Sequence, residues 1–171
     1  MKSYTLKELN ELEPEAFVAA LREVFEHSPW VIHAAAEARP FTHIKALMAA
    51  CESALYAADE ASQIDLIRAH PDLAAKLDQL AKLTDFSQTE QTRAGFAALP
   101  EPVLDEMRVE LAAYRERFGH PFILCVTEHP AADVLPILKQ RGLADPVAER
   151  LACLFQIARI GWHRICSLIE N

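Results

Sequence analysis

The chain has 171 residues, 51% hydrophobic and 25% charged, which is enough to bury a sizeable core without disulfide or metal staples and suits one globular domain. Its formal net charge is -8 with no Lys/Arg-rich run, which speaks against nucleic-acid binding, and no segment approaches the apolar length of a membrane span. Only four glycines stand among abundant alanines, which favours helices over a sheet with many tight turns.

The opening stretch carries charges where a signal peptide would be apolar. Thr5 with Glu8 forms a capping-box pattern ahead of a short helix. Pro14 starts a second helical segment with Phe17, Leu21, Val24 and Phe25 on one side. Pro29 restarts the chain, residues 30–38 read as a short helix, and Pro40 ends it. Thr42 is the expected N-cap of a helix over 43–57, with Ile44, Leu47, Met48, Cys51 and Leu55 as its apolar stripe. Ser62 and Asp65 open the next helix, which must stop at or before His70 because Pro71 disfavours helical geometry there.

Residues 72–83 read as helical, and Ser87 with Glu90 caps a helix over 91–99. Leu104, Met107, Leu111, Tyr114 and Phe118 give the cleanest helical period, with Gly119 as its C-terminal stop. Phe122 to Val126 is a continuous apolar run, either buried extended chain or a first helical turn. A helix over 131–141 follows, and Pro146 begins a long final helix that is apolar around most of its circumference. The expected fold is all-α: a single compact domain over residues 1–171, with about eight short helices packed around the long C-terminal one.

The seven histidines form neither an HExxH nor a paired Glu-x-x-His set, so no metal site is expected. No GxSxG exists, and Cys51, Cys125, Cys153 and Cys166 form no CxxC pair; they read as reduced thiols of a cytoplasmic protein. The last residues, Ser167 to Asn171, are not an SKL-type peroxisomal address. His70 lies between two helices, either as an ordinary interhelical histidine or as a ring presented for acid/base work. Ser87 and Glu90 are explained by capping, yet a helix start also offers N–H groups and tolerates a carboxylate, so recognition of a ligand is compatible. Arg164 lies along a largely apolar helix and needs a partner, an internal carboxylate or an acidic ligand.

Taken in order, His70-Pro71-Asp72-Leu73, Ser87-x-x-Glu90-Gln91 and Tyr114-x-x-x-Phe118-Gly119-x-Pro121-Phe122-Ile123 resemble the 2-oxo-4-hydroxy-4-carboxy-5-ureidoimidazoline (OHCU) decarboxylase family. The upstream segment Phe25 to Trp30 and the closing helix, Gln156 to Leu168, are similar to family regions as well, so the resemblance covers nearly the whole chain. Position 120 carries His where the family is often aromatic or apolar, and Arg159 precedes Arg164 by five residues. The resemblance implies an all-helical, commonly homodimeric enzyme without a cofactor. It implies conversion of OHCU to (S)-allantoin with loss of CO2 in uric acid breakdown. It further implies His70 as the catalytic histidine; the chemistry would then use Glu90 as the second catalytic residue, accepting a hydrogen bond from the substrate and orienting His70. Pro71, Ser87, Gln88, Thr89, Glu90, Gln91, Phe122, Ile123, Leu124, Cys125, Val126 and Arg164 would contact substrate.

Two other readings compete. A non-enzymatic helical module would offer the amphipathic face of residues 102–118 to a partner, and a metal-dependent helical hydrolase would need bound metal.

Overall fold

In the computed structural model, which describes residues 3–73, 95, 96 and 98–170, the first helix is opened by Thr5. The Thr5 hydroxyl accepts from the Glu8 N–H at 3.2 Å, and the Thr5 N–H donates to the Glu8 carboxylate at 2.7 Å, a complete capping box. Helix α1 runs Leu6–Glu11, α2 Pro14–Leu21 and α3 Trp30–Ala36. Helices α4 (Ile44–Ala57) and α5 (Glu60–Ala69) follow. Past the next described helix, α6 (Glu101–Phe118), come a 3-10 turn (Val126–Glu128), α7 (Ala131–Gly142) and α8 (Pro146–Leu168). The described structure is therefore all-helical apart from one pair of two-residue strands, β1 (Tyr4–Thr5) and β2 (Ile169–Glu170), which pair in parallel.

The chain divides into two compact units: Met1–Ala69 with Leu154–Asn171, and His70–Cys153. In the first, α3 packs against α2 and α4. Leu47, Met48, Cys51 and Leu55 are the buried stripe of α4, spaced three and four apart as a helix core face requires. The N-cap of α4 is His43 rather than Thr42: His43 Nδ1 accepts from the Ala46 N–H at 2.9 Å, an aromatic stand-in for the usual short oxygen side chain. Helix α5 likewise starts earlier than expected, because the Asp59 carboxylate takes the Ser62 N–H at 2.8 Å and the Ser62 hydroxyl at 3.1 Å. Those two bonds lower the Asp59 pKa. Buried Gln63 then donates to the Leu55 and Ala58 carbonyls, both at 3.1 Å, satisfying acceptors that the end of α4 leaves open. Helix α5 ends at Ala69, the residue before His70, as Pro71 demands.

The second unit is built on α6. Its buried Met107, Leu111 and Tyr114 share one core cluster with Phe122 and Leu124 and with Val134, Leu135 and Leu138 of α7. The apolar face that a partner-binding module would have offered is thus covered by the protein's own next helix. Gly119 closes α6 in the left-handed region at φ 72°, where its N–H returns to the Arg115 carbonyl at 2.9 Å. Helix α8 is capped by Asp145, which accepts from the Val147 and Ala148 N–H groups at 2.9 and 3.3 Å.

Candidate active site

His70 opens the second unit directly after α5 and is 5% exposed, so its ring is withdrawn from bulk water. Asp72, two residues on, is ion-paired with Arg115 of α6, and Leu73 joins the core cluster that contains Phe122 and Leu124. The His-Pro-Asp-Leu segment and the apolar strip are therefore brought into one packed unit. The strip itself leaves helical geometry after Gly119: Phe122, Ile123, Leu124 and Cys125 are all buried, and the 3-10 turn begins at Val126. Of the two conformations open to this run, the structure takes buried non-helical chain.

Beneath the strip lies a polar network that the residue pattern alone did not single out. Glu149 of α8 is 1% exposed. Its Oε1 accepts from the Arg141 guanidinium at 2.5 and 3.0 Å and from the Tyr114 hydroxyl, while Oε2 accepts at 3.2 Å. Cys153, one turn along α8, adds a weak contact from its thiol to Glu149 at 3.6 Å and receives Arg141 at 3.3 Å. The remaining arm of Arg141 donates to the Ile123 carbonyl at 2.6 Å, and its plane lies 4.6 Å over the Phe122 ring.

Burial and the groups around Glu149 together set the electrostatics of the network. Burial works against the Arg141 cation, but the hydrogen bonds and charge of Glu149 outweigh it and raise its pKa. Burial first, then Cys153 and the Glu149 hydrogen bond, push the Tyr114 phenol far above its usual range. Burial also pushes the Cys153 thiol up to about 11, with Arg141 pulling the other way. Around neutral pH the phenol and the thiol are therefore neutral donors to Glu149, and the buried cation is paired and hydrogen-bonded.

A signal for this network was present in the sequence. Glu149, Cys153 and Ile157 are four apart on one line of a helix whose neighbours are apolar, and a carboxylate on such a line requires a buried partner. His120 has a comparable logic. It is 3% exposed, 5.7 Å from the Tyr114 ring and stacked at 5.9 Å on Phe118, with Nδ1 3.0 Å from the Pro121 carbonyl. It fills an aromatic position as an aromatic ring, with one polar edge satisfied by the backbone.

Arg164 belongs to the first unit. Its guanidinium donates to the Glu23 and Val24 carbonyls at 3.0 and 3.1 Å and to the Glu26 carboxylate at 2.6 Å. Of the two partners the sequence left open, the internal carboxylate is the one present, and three of the five guanidinium N–H donors are engaged in this way. Ser87, Gln88, Thr89, Glu90 and Gln91, together with the expected helices over 72–83 and 91–99, lie outside the described residues except at Asp72, Leu73, Gly95, Phe96, Ala98 and Leu99.

Comparison with known proteins gives a consistent result. The family model for OHCU decarboxylase matches residues 10–166. A 2-oxo-4-hydroxy-4-carboxy-5-ureidoimidazoline decarboxylase of Haloferax volcanii is 34% identical over 171 residues, covering 100% of this chain and 99% of its own length. The protein of the same name from Amia calva is 31% identical over 96% of this chain and 94% of its own. The uric acid degradation bifunctional protein PucL of Bacillus subtilis is 31% identical, with 98% of this chain matching 33% of that longer one. Among solved structures, an (S)-allantoin synthase superposes with TM-score 0.78 at 25% identity, over 98% of this chain and 55% of that one. An OHCU decarboxylase crystallised in the presence of (S)-allantoin shares the fold with TM-score 0.69 at 19% identity, over 94% of this chain and 100% of that one.

Proposed function

The chain belongs to the OHCU decarboxylase family, and from that premise we propose that it removes CO2 from OHCU to give (S)-allantoin in the breakdown of uric acid. The observation that carries this reading is the unbroken family match across residues 10–166. The geometry supports it through a buried imidazole, His70, in the same packed unit as a buried non-helical strip, residues 122–125.

In the reaction, the bond between the ring carbon and its carboxylate breaks, CO2 leaves, and the electron pair stays on the ring carbon. That pair passes into the adjoining ring C=N, the carbon bearing the ureido group takes up the proton, and the hydroxyl on the former carboxylate carbon gives up its proton to become the ring carbonyl of allantoin, so the chemistry asks the protein for no pyridoxal or metal electron sink. What it does ask for is orientation, exclusion of water and one proton delivered to one face. His70 supplies the proton and regains one from solvent after product leaves. Its low exposure protects the carbanion from indiscriminate protonation. Glu90 accepts a hydrogen bond from the substrate hydroxyl or a ureido N–H and orients His70. Ser87, Gln88, Thr89 and Gln91 bind the ureido and ring amide edges. Pro71 and the main chain of Phe122 to Val126 hold the planar ring.

We read residues 1–171 as one functional domain, working as a cytoplasmic homodimer without nucleic-acid or membrane partners. The cytoplasmic setting is supported by four cysteines that are all free thiols. No described helix is long and apolar enough to cross a membrane. Dimerisation is supported by Val147, Leu151 and Phe155, spaced four apart on α8 and each about half exposed, an apolar line that a second copy would cover.

His70→Asn tests the assignment. With helical circular dichroism unchanged, the variant should lose about 10²- to 10⁴-fold in kcat on freshly made OHCU, the usual range for a general acid. A folded variant turning over at the wild-type rate removes His70 from the chemistry.

A further inference from the structure

We propose that Arg141 is a positioning residue for this reaction: it fixes the Ile123–Leu124 peptide so that the Leu124 N–H is turned away from the Glu149 network and toward the substrate. The inference deepens the decarboxylase reading and rests on its assignment of residues 122–126 to the substrate-contacting strip.

Two contacts tie Arg141 to successive residues of that strip, one to the Ile123 carbonyl at 2.6 Å and one over the Phe122 ring at 4.6 Å. The guanidinium cannot swing, because its Nε and second terminal nitrogen are both held by Glu149 at 2.5 to 3.2 Å. Glu149 is in turn held by the Tyr114 hydroxyl, and Tyr114 packs edge-on against Phe122 at 5.2 Å. The loop of contacts therefore starts and ends on the strip. The Ile123–Leu124 peptide is trans, since Arg39–Pro40 is the one cis bond among the described residues. In a trans planar peptide the carbonyl and the following N–H point in opposite directions. Holding the Ile123 oxygen on Arg141 therefore aims the Leu124 N–H the other way, as a fixed donor for an acceptor oxygen on which charge builds as CO2 departs.

The residue types suit this task better than they suit stability. A buried ion pair is often no more stabilising than apolar side chains of the same volume, so burial of Arg141 with Glu149 is not accounted for by folding energy alone. Only an arginine offers a rigid planar fork that can grip a carboxylate with one edge and a carbonyl with another while stacking on a ring.

The test uses the double variant Arg141→Gln/Glu149→Gln, which removes both charges together and so leaves no lone buried carboxylate. With the fold verified by circular dichroism, kcat/KM for OHCU should fall about 10- to 100-fold, the scale of a small misplacement of a binding group. KM should rise as kcat falls; a mere loss of folded molecules lowers kcat and leaves KM unchanged. In ¹⁵N-labelled wild-type protein the Leu124 amide resonance should move when (S)-allantoin is added, and that response should vanish in the double variant. The proposal is overturned if the folded variant keeps wild-type kcat and KM, or if the Leu124 amide of an active wild-type protein ignores (S)-allantoin. Should the variant not fold, the wild-type amide response decides alone. A wild-type protein with no activity on OHCU overturns the decarboxylase reading and the clamp with it, an outcome distinct from an active enzyme indifferent to Arg141.

Discussion

A methyl group placed on Gly161 would lie 2.9 Å from two carbons of the fully buried Phe25 ring. The glycine is thus explained by close approach of helix α8 to an aromatic ring, although glycine weakens a helix by about 1 kcal/mol relative to alanine. Gly161→Ala sets that gain against overpacking, which costs about 1 to 3 kcal/mol in a filled core. We expect a net loss of up to about 2 kcal/mol, read as a lower urea midpoint; a higher midpoint would mean that propensity wins and the contact is soft. Single side chains also separate the roles of the charged groups. Arg164 draws together Glu23, Val24 and Glu26, while Arg141 holds the Ile123 carbonyl and the Glu149 carboxylate. Sequence could say that Arg164 needed an acceptor and was silent on Arg141; the acceptors depend on a residue 138 positions away in one case and 18 in the other.

At the scale of elements, what proved legible was whatever is decided locally. The capping box of Thr5 with Glu8, the halt before Pro71, the Gly119 stop and the stripe Met107, Leu111, Tyr114 depend on residues within one or two turns of each other. The starts of α4 and α5 fell one and a few residues away from expectation, because His43 and Asp59 compete as caps with Thr42 and with Ser62 and the backbone hydrogen-bond geometry chooses. Helix α3 stops at Ala36, two residues short of the expected end, with the Glu37 N–H returning to the Ala34 and Ala35 carbonyls. The pairing of β1 with β2 was not legible at all: two-residue strands have no periodicity, and their partners are 165 residues apart. The same limit hid the Tyr114, Arg141, Glu149 and Cys153 network, whose members come from three helices. The order and spacing of three short motifs, in contrast, pointed to the family even though each motif has a sufficient local explanation in capping or helix termination.

The whole molecule carries buried thiols and a buried phenol whose titration links stability to pH. Burial raises the Cys51 thiol to about 12, with Glu52 adding to it, and the Cys153 thiol to about 11, while Tyr114 is raised beyond its ordinary 10.0. In the unfolded chain these thiols ionise from about 9.0, so above that pH the native state binds more protons than the unfolded one and stability must fall as pH rises. The contribution is fully present below pH 9.0 and is lost through the folded values of about 11 and 12. From pH 8.5 to 10.5 the two thiols together should cost about 2 to 4 kcal/mol, measurable as a steadily falling urea midpoint. A flat profile would show that Cys51 and Cys153 are not shielded as described.

One stereochemically defined decarboxylation, catalysed by this chain, underlies every role proposed for its residues. Its most direct test is to add purified protein to freshly generated OHCU and follow the circular dichroism of the allantoin formed. We predict rapid appearance of the (S) enantiomer well ahead of the spontaneous reaction. Racemic allantoin, formed at the rate seen without protein, would contradict the account.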